Sequence, residues 1–328
     1  MSKSICFSIA FYLSNLLVFL AAGKALDAAE FGLRFDFATV DQARLVLGRR
    51  DDFIEQMSPF DRKVRLQSAT DLGSAAVLSL AADQVLPWEE SEKKLILQAT
   101  EQLIPKLTEI GIGWEDSVLL IKTTGKEESS AAYTRSNAIV FPRQKLAGDN
   151  QPPTRLLAHE LFHVISRSDQ KLRDRLFSLI GFERVQSIQL PNSLRETRLT
   201  NPDAPMMEHV IHLTDQDGTD VVVAPYLFST QTYNESQTSL FSYLNFELLQ
   251  LREKTQGVWV PVFDSGSPKL ITPQHPDYLR QIGENTKYII HPEEIIADNF
   301  AMMLTDAQVK DPELITSIRS SIQLHTAK

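Results

Sequence analysis

The chain has 328 residues, a net charge of -9 and unremarkable apolar, charged and aromatic fractions of 43%, 23% and 8%. That length and composition suit a globular protein with a real core and room for about two domains. The acidic balance argues against a nucleic-acid partner, because phosphate neutralisation needs clustered Lys and Arg, and here Arg49-Arg50 is followed at once by Asp51-Asp52.

Residues 1–25 read as an export signal: Lys3 precedes an apolar run from Ile5 to Ala22, and small residues at Ala21, Ala22, Gly23 and Ala25 offer a cleavage site. The run is close to the minimum for a bilayer span, so a retained anchor is the rival reading, weakened by Ser14-Asn15. The only cysteine, Cys6, lies inside this segment, so the mature chain would hold no thiol and depend on its core for stability. The expectation is an exported protein, periplasmic or secreted, that leaves the membrane after cleavage.

From 26 to 113 the pattern is helical. Asp41 to Arg50, Ser58 to Gln67, Ala75 to Val85 and Glu89 to Glu109 are the expected helices, the second opened by Ser58-Pro59-Phe60-Asp61 as cap, first-turn proline and N3 acid. Pro105 should kink the fourth. With little polar clustering, this part reads as scaffold.

Residues 114–183 form the next part. Ser117 to Lys122 reads as a strand. Thr134 to Pro142 reads as another, at a sheet edge because its closing proline cannot donate to a central ladder. Gly148 to Pro153 is a loop, and Thr154 is the expected cap of the helix that follows.

That helix carries His159-Glu160-Leu161-Phe162-His163. Histidines four apart on a helix project from one face about one turn apart, so both imidazoles can reach one cation with the glutamate beside them. Leu156, Leu157, Leu161, Phe162, Val164 and Ile165 surround the motif, so the helix is buried, and a buried helix tolerates such polar groups only when something pairs with them. The chemistry is that of a zinc hydrolase, with one Zn2+ per chain and Glu160 as general base toward a zinc-activated water.

Gln170 to Ile180 is a further helix, capped by Ser168-Asp169. From Met207 to Thr272 the period changes to two, marking a β-rich insert placed over 184–273. His209-Val210-Ile211-His212-Leu213 and Asp220 to Tyr226 flank the turn Asp215-Gln216-Asp217-Gly218. Strands over Leu244 to Leu251, Val258 to Phe263 and Lys269 to Thr272 follow, with a second turn at Asp264-Ser265-Gly266-Ser267-Pro268. His209 and His212, three apart on a strand, point to opposite faces and read as structural.

The last part, 274–328, is helical again, with Pro292 opening one helix that runs to Leu304 and Asp311 to Gln323 forming another. Two histidines leave a catalytic zinc one protein ligand short. Glu294 is the preferred third ligand, and Asp298, one turn on, can accept the remaining N–H of His159. Two alternatives stay open. Glu294 could be a helix-capping glutamate, and Asp169, six residues after His163, could be the ligand in a metzincin-like scheme, although Ser166 stands where that scheme needs glycine.

With these residues in view, the sequence resembles the gluzincin, or thermolysin-like, metallopeptidases: a paired-histidine helix followed at variable distance by Glu-x-x-x-Asp, matched by His159, Glu160, His163, Glu294 and Asp298. The resemblance implies an α+β fold with a zincin-like core and hydrolysis of a peptide or protein substrate. It also implies that Asn137-Ala138, on an antiparallel edge strand, binds the substrate backbone. Two departures stand out. The separation from His163 to Glu294 is much longer than in thermolysin, and the Tyr and His pair that holds the oxyanion there has no spacing match. Tyr278 and Tyr288 are the tyrosine candidates, with His275 and His291 nearby. The competing reading is a catalytically silent zinc-binding envelope protein acting as scaffold or interaction surface.

Overall fold

The computed structural model describes residues 34–112, 117–146, 152–214 and 217–326. The expected export signal, Cys6, Asp215-Gln216 and most of the loop from Gly148 lie outside the described residues. Among the described residues no helix is long and apolar enough to cross a membrane.

The fold is mixed α+β with several sheets. A five-stranded sheet runs in the order Arg34–Phe37, Ser117–Thr123, Ala138–Pro142, Tyr133–Arg135, with Val85–Leu86 added antiparallel to Ser117–Thr123. A seven-stranded sheet is built from Phe182–Arg184, His209–Thr214, Asp220–Phe228, Asn245–Thr255, Val258–Pro261 and Ser187–Ile188, with Leu270–Ile271 on the long strand. Gly181 admits the chain to this sheet: its φ of +80° suits only glycine, and a Cβ there would strike the Gln281 amide.

Local chemistry explains several element boundaries. Ser58 caps Pro59–Leu66 by accepting from the Asp61 N–H at 2.9 Å. Glu90–Glu109 opens with a reciprocal Glu89/Glu92 cap and carries Pro105 inside it. Asp169 caps Gln170–Ser178 by accepting from the Leu172 N–H at 3.0 Å, as expected. The expected Thr154 cap is corrected: Thr154 is the first helical residue of Thr154–Ser168, and its hydroxyl donates instead to Gln102 Oε1 at 2.7 Å.

The expected edge strand is also corrected. Thr134 to Pro142 is two strands, not one, because Ser136 adopts φ +53° and turns the chain, and Ser and Asn are residues that favour turns. Ala138–Pro142 lies between Ser117–Thr123 and Tyr133–Arg135, so it is interior. Pro142 is accommodated because it is the last residue of its strand. Tyr133–Arg135 is the strand at that edge of the sheet, with Arg34–Phe37 at the other end.

Helix Thr154–Ser168 is buried on both sides of its histidine face, packing against Pro292–Leu304 and Glu90–Glu109. Phe162 meets Phe300 at 5.5 Å between centroids, which fixes the first pair of helices side by side. One continuous apolar cluster joins all three helices to the first sheet and to part of the second. The two histidines therefore face a helix more than a hundred residues further along the chain.

Candidate metal centre

The paired helices bring imidazoles and carboxylates together with a definite division of labour. His159 Nε2 lies 3.1 Å from Glu294 Oε2, and His163 Nε2 lies 3.6 Å from the same oxygen. Each ring is held from its other nitrogen: His159 Nδ1 by Asp298 Oδ1 at 3.1 Å, and His163 Nδ1 by Glu293 Oε1 at 2.9 Å. Carboxylates beside both Nδ1 atoms favour a proton there, so that both Nε2 atoms, turned toward Glu294, are the ones a metal would take once they are deprotonated.

The holders are themselves held. Asp298 accepts from the Thr286 hydroxyl, and Glu293 accepts from the Ser166 hydroxyl. Glu294 does not cap its helix; that position is taken by His291, whose Nδ1 accepts from the Glu293 N–H at 3.1 Å. The ligand set His159, His163 and Glu294 has donor atoms all within 4.8 Å of one another and could hold a metal ion. His163 Nε2 and Glu160 Oε2 are buried without a hydrogen-bond partner among the described residues. Each such atom costs about 1–3 kcal/mol, and a cation beside them removes that cost, so the residues fit a metal.

The charges of the chain act on one another strongly. Burial alone would lower the His159 pKa, but its hydrogen bonds to Asp298 and Glu294 outweigh it and raise it to about 9. Burial likewise opposes protonation of His163, yet the charges of Asp203 and Glu294 hold its pKa well above the ordinary imidazole value. Burial would raise the Glu294 pKa, but the two imidazoles hold it well below the carboxylate range. Glu160 goes the other way: burial first, then the charge of Asp203, pushes it up to about 8. Protons stand on the imidazoles where a divalent cation would replace them.

Of the two tyrosines singled out, only Tyr288 flanks this site. Its ring stacks on His159 at 6.3 Å between centroids and is 42% exposed, and the Glu294 charge, followed by burial, pushes its pKa up. Tyr278 is fully buried in the apolar core against Phe182, and its hydroxyl donates to the Ile289 carbonyl at 2.7 Å. Asn137 and Ala138 do not lie on an open edge. The Asn137 carbonyl accepts from Leu119 N at 3.0 Å, its amide donates to the Ser117 carbonyl at 2.9 Å, and Ala138 is paired on both sides. Asp169 is turned away, bonded to His325 at 2.6 Å. His209 and His212 pair with Asp174 and Glu183, buried and exposed respectively.

Three residues at the site escaped the sequence reading. Glu293 carried a local signal, since it is one residue from Glu294 on an inward helix, but first-turn acids are common at helix starts. Asn201, whose amide donates to Glu294 Oε1 at 2.6 Å, and Asp203 come from a loop with no periodicity to mark them. Beside the site is a cavity of about 280 Å³, lined among others by Thr134, Arg135, Arg167, Asp203 and Glu293.

Residues 123–171 match the family model described as the eCIS core domain. The match covers the end of Ser117–Thr123, the strand pair that follows, the whole histidine helix and the start of the next helix, well under half of the chain. Comparison with curated proteins and with solved structures found no match.

Proposed function

We propose that the protein is an exported zinc metallopeptidase with a gluzincin-type, zincin-like core, in which His159, His163 and Glu294 hold the zinc. The observation that carries this reading is the convergence of both Nε2 atoms on one Glu294 oxygen while carboxylates hold both Nδ1 atoms. Two imidazoles and one carboxylate are one of the donor sets of catalytic zinc sites. Bound there, zinc polarises a carbonyl and makes water acidic.

The chain supplies the rest. Glu160 takes a proton from the attacking water and passes it to the leaving amine. The pKa that burial and Asp203 raise to about 8 falls when a cation lies nearby, which favours the ionised, basic form at neutral pH. Asp298 and Glu293 fix the imidazole orientations, and Tyr288 donates toward the developing oxyanion. In this reading residues 26–113 are a helical support, 114–183 the strands and histidine helix, 184–273 the β-rich insert, and 274–328 the part that brings the third ligand. The substrate is a peptide or protein.

The test uses elemental analysis and a peptide-library assay on the mature chain, residues 26–328. About one zinc per chain is expected, lost in His159→Ala and Glu294→Ala. Glu160→Gln should keep the metal and lose about 10²–10⁴-fold in hydrolysis. Unchanged hydrolysis in that variant defeats the peptidase reading, and metal with no hydrolysis in the wild type favours the silent zinc-binding envelope protein.

A further inference from the structure

Glu160 and His163 share a carboxylate from far along the chain. A side-chain oxygen of Asp203 lies within 4.8 Å of a Glu160 oxygen and of a His163 ring nitrogen. Two residues earlier, the Asn201 amide is bonded to Glu294. One short stretch thus bonds the third ligand and lies beside the second histidine and the base.

The same stretch takes the strand edge. Tyr133–Arg135 ends its sheet, so the outward N–H of Thr134 is where an extended chain would pair. Asp203 Oδ1 accepts from that N–H at 2.8 Å and from the Thr134 hydroxyl at 2.6 Å. Arg167, from the histidine helix, braces this arrangement by donating to Thr134 Oγ1 at 2.8 Å and to the Ser136 carbonyl at 2.9 Å.

The stretch is anchored from behind as well. Thr200 N donates to Asp61 Oδ2 at 2.9 Å, and the Thr200 carbonyl accepts from Arg65 Nη2 at 2.9 Å. Arg65 is buried between Asp61 and Glu128, bonding Glu128 at 2.7 and 3.0 Å. A fully buried ion network holds its partners in one arrangement. Pro202 further restricts the backbone between Asn201 and Asp203.

We propose that Asn201–Asp203 is an internal occupant of the metal cleft, with the Asp203 carboxylate beside Glu160 and His163 barring the approach of an outside ligand in the resting protein. The proposal rests on the metal-centre reading above. An extended peptide and Asp203 also compete for one N–H on Thr134. Opening the cleft therefore requires the stretch to release Thr134 and Glu294, while the Thr200 anchor keeps it close enough to return.

Cobalt(II) loaded into the mature chain tests this without any hydrolysis assay, because its visible absorption follows the number and kind of ligands. Acetohydroxamate, a small bidentate ligand, reports whether a position is open. The wild-type spectrum is expected to resist acetohydroxamate. Asp203→Ala and Asp203→Asn are expected to respond at a concentration lower by at least about tenfold, since the occupant no longer taxes binding. Asp203→Asn keeps an acceptor for Thr134 and so preserves the local fold, and Asn201→Ala should shift the response in the same direction. Variants that match the wild type in their response to acetohydroxamate overturn the proposal alone. A wild-type chain that binds no cobalt overturns it together with the metal-centre reading, and His159→Ala gives the spectrum of that case.

Discussion

His159 and His163 differ in what surrounds them more than in what they do. His159 is anchored by Asp298 and Thr286 near the surface, and His163 by Glu293 and Ser166 in the interior. Residues that orient a ligand typically cost 10–100-fold in metal affinity when removed, roughly the range expected for Asp298→Asn and Glu293→Gln. Chelator competition measures it; affinities equal to the wild type would leave those carboxylates with a packing role only. Ser166 stands where a metzincin pattern would need glycine, and it serves instead as a hydrogen-bond donor to Glu293.

At the scale of elements, the histidine helix and Pro292–Leu304 act as one unit, and the helical part near the amino terminus is more than a prop. Arg65 from Pro59–Leu66 neutralises two buried carboxylates and anchors Thr200, next to the cleft. Breaking a buried ion pair by removing one partner costs about 3–5 kcal/mol, because charge is left uncompensated. Arg65→Met is expected to lower the urea midpoint accordingly and to loosen the Asn201–Asp203 stretch, seen as faster hydrogen exchange there. A loss below about 1 kcal/mol would mean that Asp61 and Glu128 find other partners.

For the whole molecule, a metal held by His159, His163 and Glu294 would join helices distant in sequence, so its removal would be a stability event. Ligand binding to the folded chain adds about 4 kcal/mol at a thousandfold excess over Kd, and chelation should lower Tm by the matching amount. The pH dependence has a definite sign. His159 has its pKa raised from 6.5 to about 9, so without metal its contribution is fully present below 6.5 and is lost as pH rises through 9. Metal competes with those protons, so the Tm difference between metal-loaded and chelated protein should grow across the same window. A difference that shrinks with rising pH would place the metal elsewhere.

The sequence by itself determined the histidine helix, the neighbouring carboxylates Glu294 and Asp298, the caps at Ser58 and Asp169, and the change to a β-rich stretch. These follow from periods of 3.6 and 2 and from short-range hydrogen bonds, which are visible within a few residues. Only the tertiary structure decided that Glu293 orients His163, that Tyr288 and not Tyr278 flanks the site, and that Tyr133–Arg135 is the edge. Asn201 and Asp203 belong to the same group, since a loop meets its partners through packing across long sequence separations and carries no period to read. Thr134 to Pro142 shows the boundary between the two: one serine in a left-handed conformation turned a plausible strand into a pair, and moved the open edge away from Asn137 and Ala138.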